Sequence, residues 1–354
     1  MQTLNTTSSL AAVTATPAPV FTRQRVWIAV SLLAFGAFPF ISSEYWLYWA
    51  CLIAINVISA TGLNILAGFT GLASLGQAAF MGVGAYCVAL LELHAGTPFL
   101  LNILIAGAAA ALIGLVVGIP SLRVKGLYLA ISTIAASVIL EFLFANWDSV
   151  TNGVRGLNIA PASLFGTELA RPEQLYWIII PVAVVMVTAA ANLFRTRVGR
   201  AFIAIRDRDI SAEVLGIPLL RYKLMSFGLS SFYAGVAGGL WAYFFRVVTP
   251  ESFPIQMSIF FLAAIIVGGM GSIPGSIIGA AFMTMVPEML RLAFNVIAPA
   301  DAITIIPAIR AIVFGTLIIG FLLFEPQGLV EVIPRLRKHL RARRGKPGST
   351  TSKN

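Results

Sequence analysis

YWLYWACLIAINVISATGLNILAGFTGLASLGQAAFMGVGAYCVALL, residues 45–91, runs for 47 positions without a charged side chain. One bilayer crossing needs about 20 residues, so this stretch must form at least a hairpin of two spans. Between Glu251 and Glu288 a further 36 residues carry no charge, again too many for one crossing. The rest of the chain agrees: 58% of its 354 residues are apolar, only 11% are charged, and mean hydropathy is +0.91. A soluble domain of this composition would have to show water far more apolar surface than it tolerates. The expected fold class is an all-α polytopic membrane protein, because helices satisfy their own backbone polar groups in lipid.

Stretches of spanning length fall near 26–43, 46–67, 74–91, 99–120, 126–145, 175–194, 224–245, 252–269, 274–297 and 303–324, about ten in all. Residues 1–22 are rich in Thr, Ala, Ser and Pro and lack the apolar block of a cleavable signal peptide, so they read as a disordered tail. A transmembrane body follows over 23–332, interrupted by a charged loop at 195–223, and a basic tail closes the chain at 333–354.

Cytoplasmic loops retain Lys and Arg, which gives an independent check on the count. With a cytoplasmic N-terminus, alternation places Arg23 and Arg25, the 121–125 loop, the 195–223 loop and the 335–353 tail on the cytoplasmic side. Together these hold 19 of the 24 basic residues. Both termini are therefore expected in the cytoplasm. The net charge of +10 is loop charge of this kind and does not indicate nucleic acid. The tail RLRKHLRARRGK either lies on anionic lipid headgroups or stays solvated.

Residue types that carry chemistry are scarce. His94 and His339 are the only histidines, and Cys51 and Cys87, the only cysteines, fall in apolar spans. No GxSxG elbow and no GxxxxGK[ST] phosphate loop occurs. No catalytic residue, metal site or cofactor is assigned to this chain, and the energy it uses must come from a partner or a gradient.

The segment 62–86, GLNILAGFTGLASLGQAAFMGVGAY, sets Asn64, Gly68, Gly71, Ser74, Gly76 and Gln77 inside the charge-free run, and VGGMGSIPGSIIGAAF at 267–282 adds Gly268, Gly269, Gly271 and Gly275. Small residues let helices approach closely, and they also mark interrupted helices that line a cavity. These ten residues are the candidates for a translocation path, with close packing of a tight hairpin as the other reading. Ionisable groups within the spans are few. Glu288 and Arg291, three apart, are expected to neutralise each other on one helix face.

The loop 195–223, RTRVGRAFIAIRDRDISAEVLGIPLLRYK, carries ten of the chain's charged residues. From Gly199 to Leu215, the apolar Phe202, Ile205, Ala212 and Leu215 recur at near-helical spacing, with Arg200, Arg206, Asp209 and Glu213 on other faces. Gly216 followed by Ile217-Pro218 is a helix stop. A short amphipathic helix is expected here, either a rigid handle for a soluble protein or a helix lying in headgroups.

GRAFIAIRDRDISAEVLGIPLLRYKLMSFGLSSFYAGVAGGLWA, residues 199–242, resembles the cytoplasmic loop and following helix of the LivM-type permeases of branched-chain amino-acid ABC importers. Segments 62–86, VKGLYLAISTIAASVI, AIIVGGMGSIPGSIIGA and FEPQGLV resemble the same family's other segments in the same order. The resemblance implies a bacterial inner-membrane subunit that pairs with a LivH-type permease. It also implies two cytoplasmic ABC ATPases, which use ATP and Mg, and a periplasmic substrate-binding protein. The helix bearing Arg200, Arg206, Asp209, Glu213 and Gly216 would then be the coupling helix. Other importers place Glu-Ala-Ala six residues before the glycine; here Ile210, Ser211 and Ala212 stand there, so the acidic anchor would shift to Asp209 or Glu213.

A branched aliphatic solute suits an apolar path walled by small residues, although urea, short amides and aromatic acids are carried by permeases of this type as well. An ion-coupled secondary transporter would also show broken glycine-rich helices, but has no need of the amphipathic loop helix. A membrane enzyme is disfavoured by the missing His, Cys and paired-acid constellations.

Overall fold

In the computed structural model the charge-free run is a helical hairpin: α1, Glu44–Thr70, and α2, Gln77–Ala95, flank a break at 71–76. The structure describes residues 42–122, 126–164, 167–169 and 171–297, with isolated positions at 39 and between 309 and 330. The expected tail 1–22, the basic tail 333–354, and nearly all of the expected spans 26–43 and 303–324 lie outside the described residues. The chain divides into two compact units, 1–47 and 48–354; of the first, only the start of α1 and its approach are described, and all the other helices belong to the second.

Six more long helices succeed the hairpin. They are α3, Phe99–Ser121; α4, Leu127–Asn146; α5, Pro172–Leu193; then, after the charged loop with its two short helices α6, Arg197–Asp207, and α7, Asp209–Val214, come α8, Leu219–Phe245; α9, Ile255–Gly268; and α10, Ile273–Ile297. The eight long helices match the second to ninth expected spans within five residues at each end. Seven are long and apolar enough to cross a membrane, α9 when taken with the turn that leads into it from Pro250. The eighth, α8, is 27 residues long but rich in Gly and Ser. It tolerates that composition because protein surrounds it: Ser226, Ser230 and Ser231 are all buried.

Close backbone approach explains the glycines of α8. A Cβ on Gly84 of α2 would land on the carbonyl of Gly235, one on Gly235 would meet Ala110 Cβ and Ala106 O of α3, and one on Gly238 would strike Met81 O. So α8 lies wedged between α2 and α3, in the small-residue manner of membrane helices. Outward-facing side chains are apolar instead: Leu112 and Val116 on α3, Ile139 and Phe142 on α4, and Val185 on α5 are each more than 60% exposed. In water such a band would be an aggregation surface; against lipid it is the solvent-matched face. Among the described residues there are two small antiparallel pairings, Leu157–Asn158 with Val247–Val248 and the hairpin Ala162–Leu164 with Thr167–Leu169.

Candidate functional site

The charged loop folds as two helices where the sequence suggested one. Thr196 caps α6 by accepting from the Gly199 amide at 3.4 Å, and Gly199 itself is pressed against Phe194 backbone. At Arg208 the chain turns extended (φ −157°, ψ 102°), and the helix restarts at Asp209, whose carboxylate accepts from the Ile210 amide at 2.9 Å and pairs with Lys223 at 3.8 Å. An aspartate at that position competes with the helical backbone ladder and favours a new N-terminus. The stop at Gly216 is as expected: φ is +82°, and the Ile217 and Gly216 amides bond back to Ala212 O and Glu213 O.

One face of this unit is buried through Ala201, Phe202, Ile205 and Ala212. Leu215, expected on that face, is 80% exposed, because the break at Arg208 resets the helical phase. Together with Ile210 at 72% and Val214 at 83% it forms an apolar tip beside exposed Glu213. Among the charges of the loop the tip is easily masked in the sequence, where its signal is the i, i+4 pair Ile210 and Val214. Arg200 also faces outward.

Arg206 turns the other way. Its Nη1 donates to Gly68 O at 3.1 Å, while Nε and Nη2 reach Asp207 Oδ1, each at 3.1 Å. The same side chain covers Gly71 and Gly271, where an added Cβ would come within 3.2 Å of Arg206 Cγ and 2.7 Å of Arg206 Nη1 respectively. Both glycines have positive φ, +74° and +77°, a region costly for other residues. Arg206 thereby joins the loop to both glycine segments. Beside it a cavity of about 240 Å³ is lined by Gly71, Arg206, Asp207, Arg208, Asp209 and Lys223 among others.

Most of the remaining path candidates are knitted into helix contacts. Asn64, fully buried, donates from Nδ2 to Ser272 O at 2.8 Å and Ser276 Oγ at 2.7 Å, and accepts from the Gly271 amide at 2.9 Å. Gly68 lies under Gly271 N, and Gly268 and Gly269 pack on Gly275. Gln77 donates to Ser59 O at 2.8 Å and accepts from Ser230 Oγ at 3.2 Å, which ties α1, α2 and α8 together. The Ser74 hydroxyl accepts from the Gly76 amide at 3.3 Å, and the break docks on α4 where Leu75 N–H donates to Thr133 Oγ1 at 2.9 Å. Glu288 and Arg291 form the expected pair, with two guanidinium nitrogens on the carboxylate at 2.6–3.0 Å.

Helices of spanning length with lipid-matched faces, broken at glycine segments and joined to a polar helical loop, define a multi-pass membrane protein. The family described as branched-chain amino acid transport system / permease component matches residues 45–322. Over 347 residues the chain is 31% identical to the high-affinity branched-chain amino acid transport system permease protein LivM of Escherichia coli K12, covering 91% of this chain and 78% of that one. It is 23% identical over 328 residues to a probable LivM permease of Methanocaldococcus jannaschii, covering 82% and 95%. A shorter match, 28% over 249 residues and 63% of this chain, joins it to the LivH permease of Escherichia coli K12, of which it covers 78%. The chain belongs to the branched-chain amino acid transport permease family and is of the LivM type.

Proposed function

We propose that this chain is the LivM-type half of an ATP-driven importer that moves branched-chain amino acids across the inner membrane. The observation that carries the reading is the family match over nearly all the described helices, joined to a loop whose apolar tip, Ile210, Val214 and Leu215, stands exposed. Exposed large apolar side chains on a polar loop suit a protein groove. In this reading the tip seats in one of two cytoplasmic ATPases, which bind ATP and Mg, while a LivH-type permease completes the pathway and a periplasmic receptor delivers solute. The excess of basic residues in the 195–223 loop supports a cytoplasmic placement with both termini on that side. The chain itself works as a permease and not as an enzyme. The names carried by the family and its relatives favour leucine, isoleucine and valine over urea, amides or aromatic acids.

Coupling would run through Arg206. A shift of α6 pulls on the carbonyl end of α1 at Gly68 and on the turn at Gly271, so a movement at the ATPase surface reaches both glycine segments at once. Reconstitution with the companion permease, ATPases and receptor tests this: leucine uptake should require ATP hydrolysis. Uptake that survives ATP depletion and collapses with an ionophore would instead indicate an ion-coupled carrier.

A further inference from the structure

At the helix ends remote from the charged loop, a cavity of about 490 Å³ opens among α1, α8, α9 and α10, a size typical of small-ligand sites. Trp49 and Asn56 come from one side of α1, Trp241 from the last turns of α8, Glu251 and Gln256 from the turn into α9, and Thr284 from α10. Asn56 and Thr284 sit near the midpoints of their helices, so the cavity runs from the helix ends to mid-depth.

Its floor is polar. Asn56, only 6% exposed, donates from Nδ2 to Thr284 Oγ1 at 3.0 Å, and that hydroxyl donates on to Ala280 O at 2.6 Å. The amide oxygen of Asn56 accepts no hydrogen bond among the described residues. At the mouth, Glu251 and Gln256 are exposed and pair with no described residue. Between mouth and floor the wall is apolar, with Leu52, Met257 and Phe260, and Trp241 is held in it by rings of Phe245 and Phe253 at 4.3 and 4.9 Å.

Among the described residues no Lys or Arg lines this chamber. It offers one carboxylate and one unspent carbonyl to a cation, one amide NH₂ to an anion, and an apolar body between them. A lipid chain long enough to fill it would leave the Asn56 oxygen at the floor without a donor, at a real cost, whereas a short ligand held at the mouth does not cover the floor. We infer that the cavity is a holding site for a zwitterionic aliphatic amino acid, with the ammonium on Glu251, the carboxylate at Gln256 and the side chain against the apolar wall of Leu52, Met257 and Phe260. This assignment rests on the proposed transport function.

The experiment uses the assembled permease complex in membranes, with Ser252→Cys, which lines the same chamber beside Glu251, labelled by an impermeant maleimide and L-leucine as probe. Leucine should slow labelling about fivefold, and Glu251→Gln added to that background should abolish the protection. Equal labelling rates with and without leucine overturn the site, as does protection that persists in the double variant. A second variant, Met257→Trp, fills the chamber while leaving Glu251 in place, and should lower leucine uptake about tenfold at equal membrane abundance; normal uptake also overturns the site. Failure of the unsubstituted complex to take up leucine would overturn the transport reading instead, and so the two failures are distinguishable.

Discussion

Arg206 donates through Nη1 to the backbone carbonyl oxygen of Gly68 at 3.1 Å, joining positions 138 apart in the chain. Gly68 lies in the last turn of α1, where carbonyls lack helical partners and the helix end carries partial negative charge. The arginine therefore acts as a C-terminal cap delivered from another element, and the cap exists only while the loop is docked.

Arg206→Met keeps the length of the stem and removes that cap. Since the side chain is more than a third exposed, stability should fall by about 1 kcal/mol or less. Transport should suffer more, with more ATP hydrolysed per leucine imported by the reconstituted complex. An unchanged ratio would remove Arg206 from the coupling route.

Ile210→Asp and Val214→Asp alter side chains that touch little of this protein, so thermal stability should move by no more than about 0.5 kcal/mol. Recovery of the ATPases on co-purification should nevertheless drop about tenfold or more. Gly216→Pro should uncouple the loop as well, because proline cannot adopt the φ of +82° found there. Full ATPase recovery with all three would place the docking surface elsewhere.

Asn64→Leu leaves the Gly271 amide without its acceptor, while Ser272 O keeps the Ser276 amide as a donor at 3.2 Å. An orphaned donor of this kind costs about 1–3 kcal/mol, so the detergent-solubilised complex should melt earlier, and Ser276→Ala should do so more mildly. Equal melting temperatures for Asn64→Leu and the parent would mean that the turn is held by other contacts.

Gly84→Ala drives a methyl group into the backbone of Gly235 and should cost about 1–3 kcal/mol. Gly107→Ala, whose nearest neighbours are side-chain atoms of Phe232 and Val236 rather than backbone, should cost less. Chemical denaturation of the two variants gives the order, and a reversed order would contradict the contact between α2 and α8.

Much of the helical plan was legible because bilayer thickness imposes a length on charge-free runs; the 47 uncharged residues of 45–91 could only be a hairpin, and they are. The pair Glu288 and Arg291 was legible from spacing alone. The kink at Arg208 was not, since periodicity counted through 199–215 has no sensitivity to a single extended residue, and the restart depends on Asp209 meeting Lys223 from α8. Asn64 and Gln77 read equally well as path or packing residues. Only their partners, Ser272 and Ser276 in one case and Ser59 and Ser230 in the other, show what they hold. Asn56, Glu251 and Gln256 carried no signal, because a cavity drawn from four helices leaves no local pattern.

Where α8 meets α2 and α3 through Gly84, Gly235 and Gly238, main chain rests on main chain. Such a joint has no side-chain rotamers to repack, so a larger residue at any of the three glycines has no room unless the helices part, and the spacing of this three-helix layer is set by backbone alone.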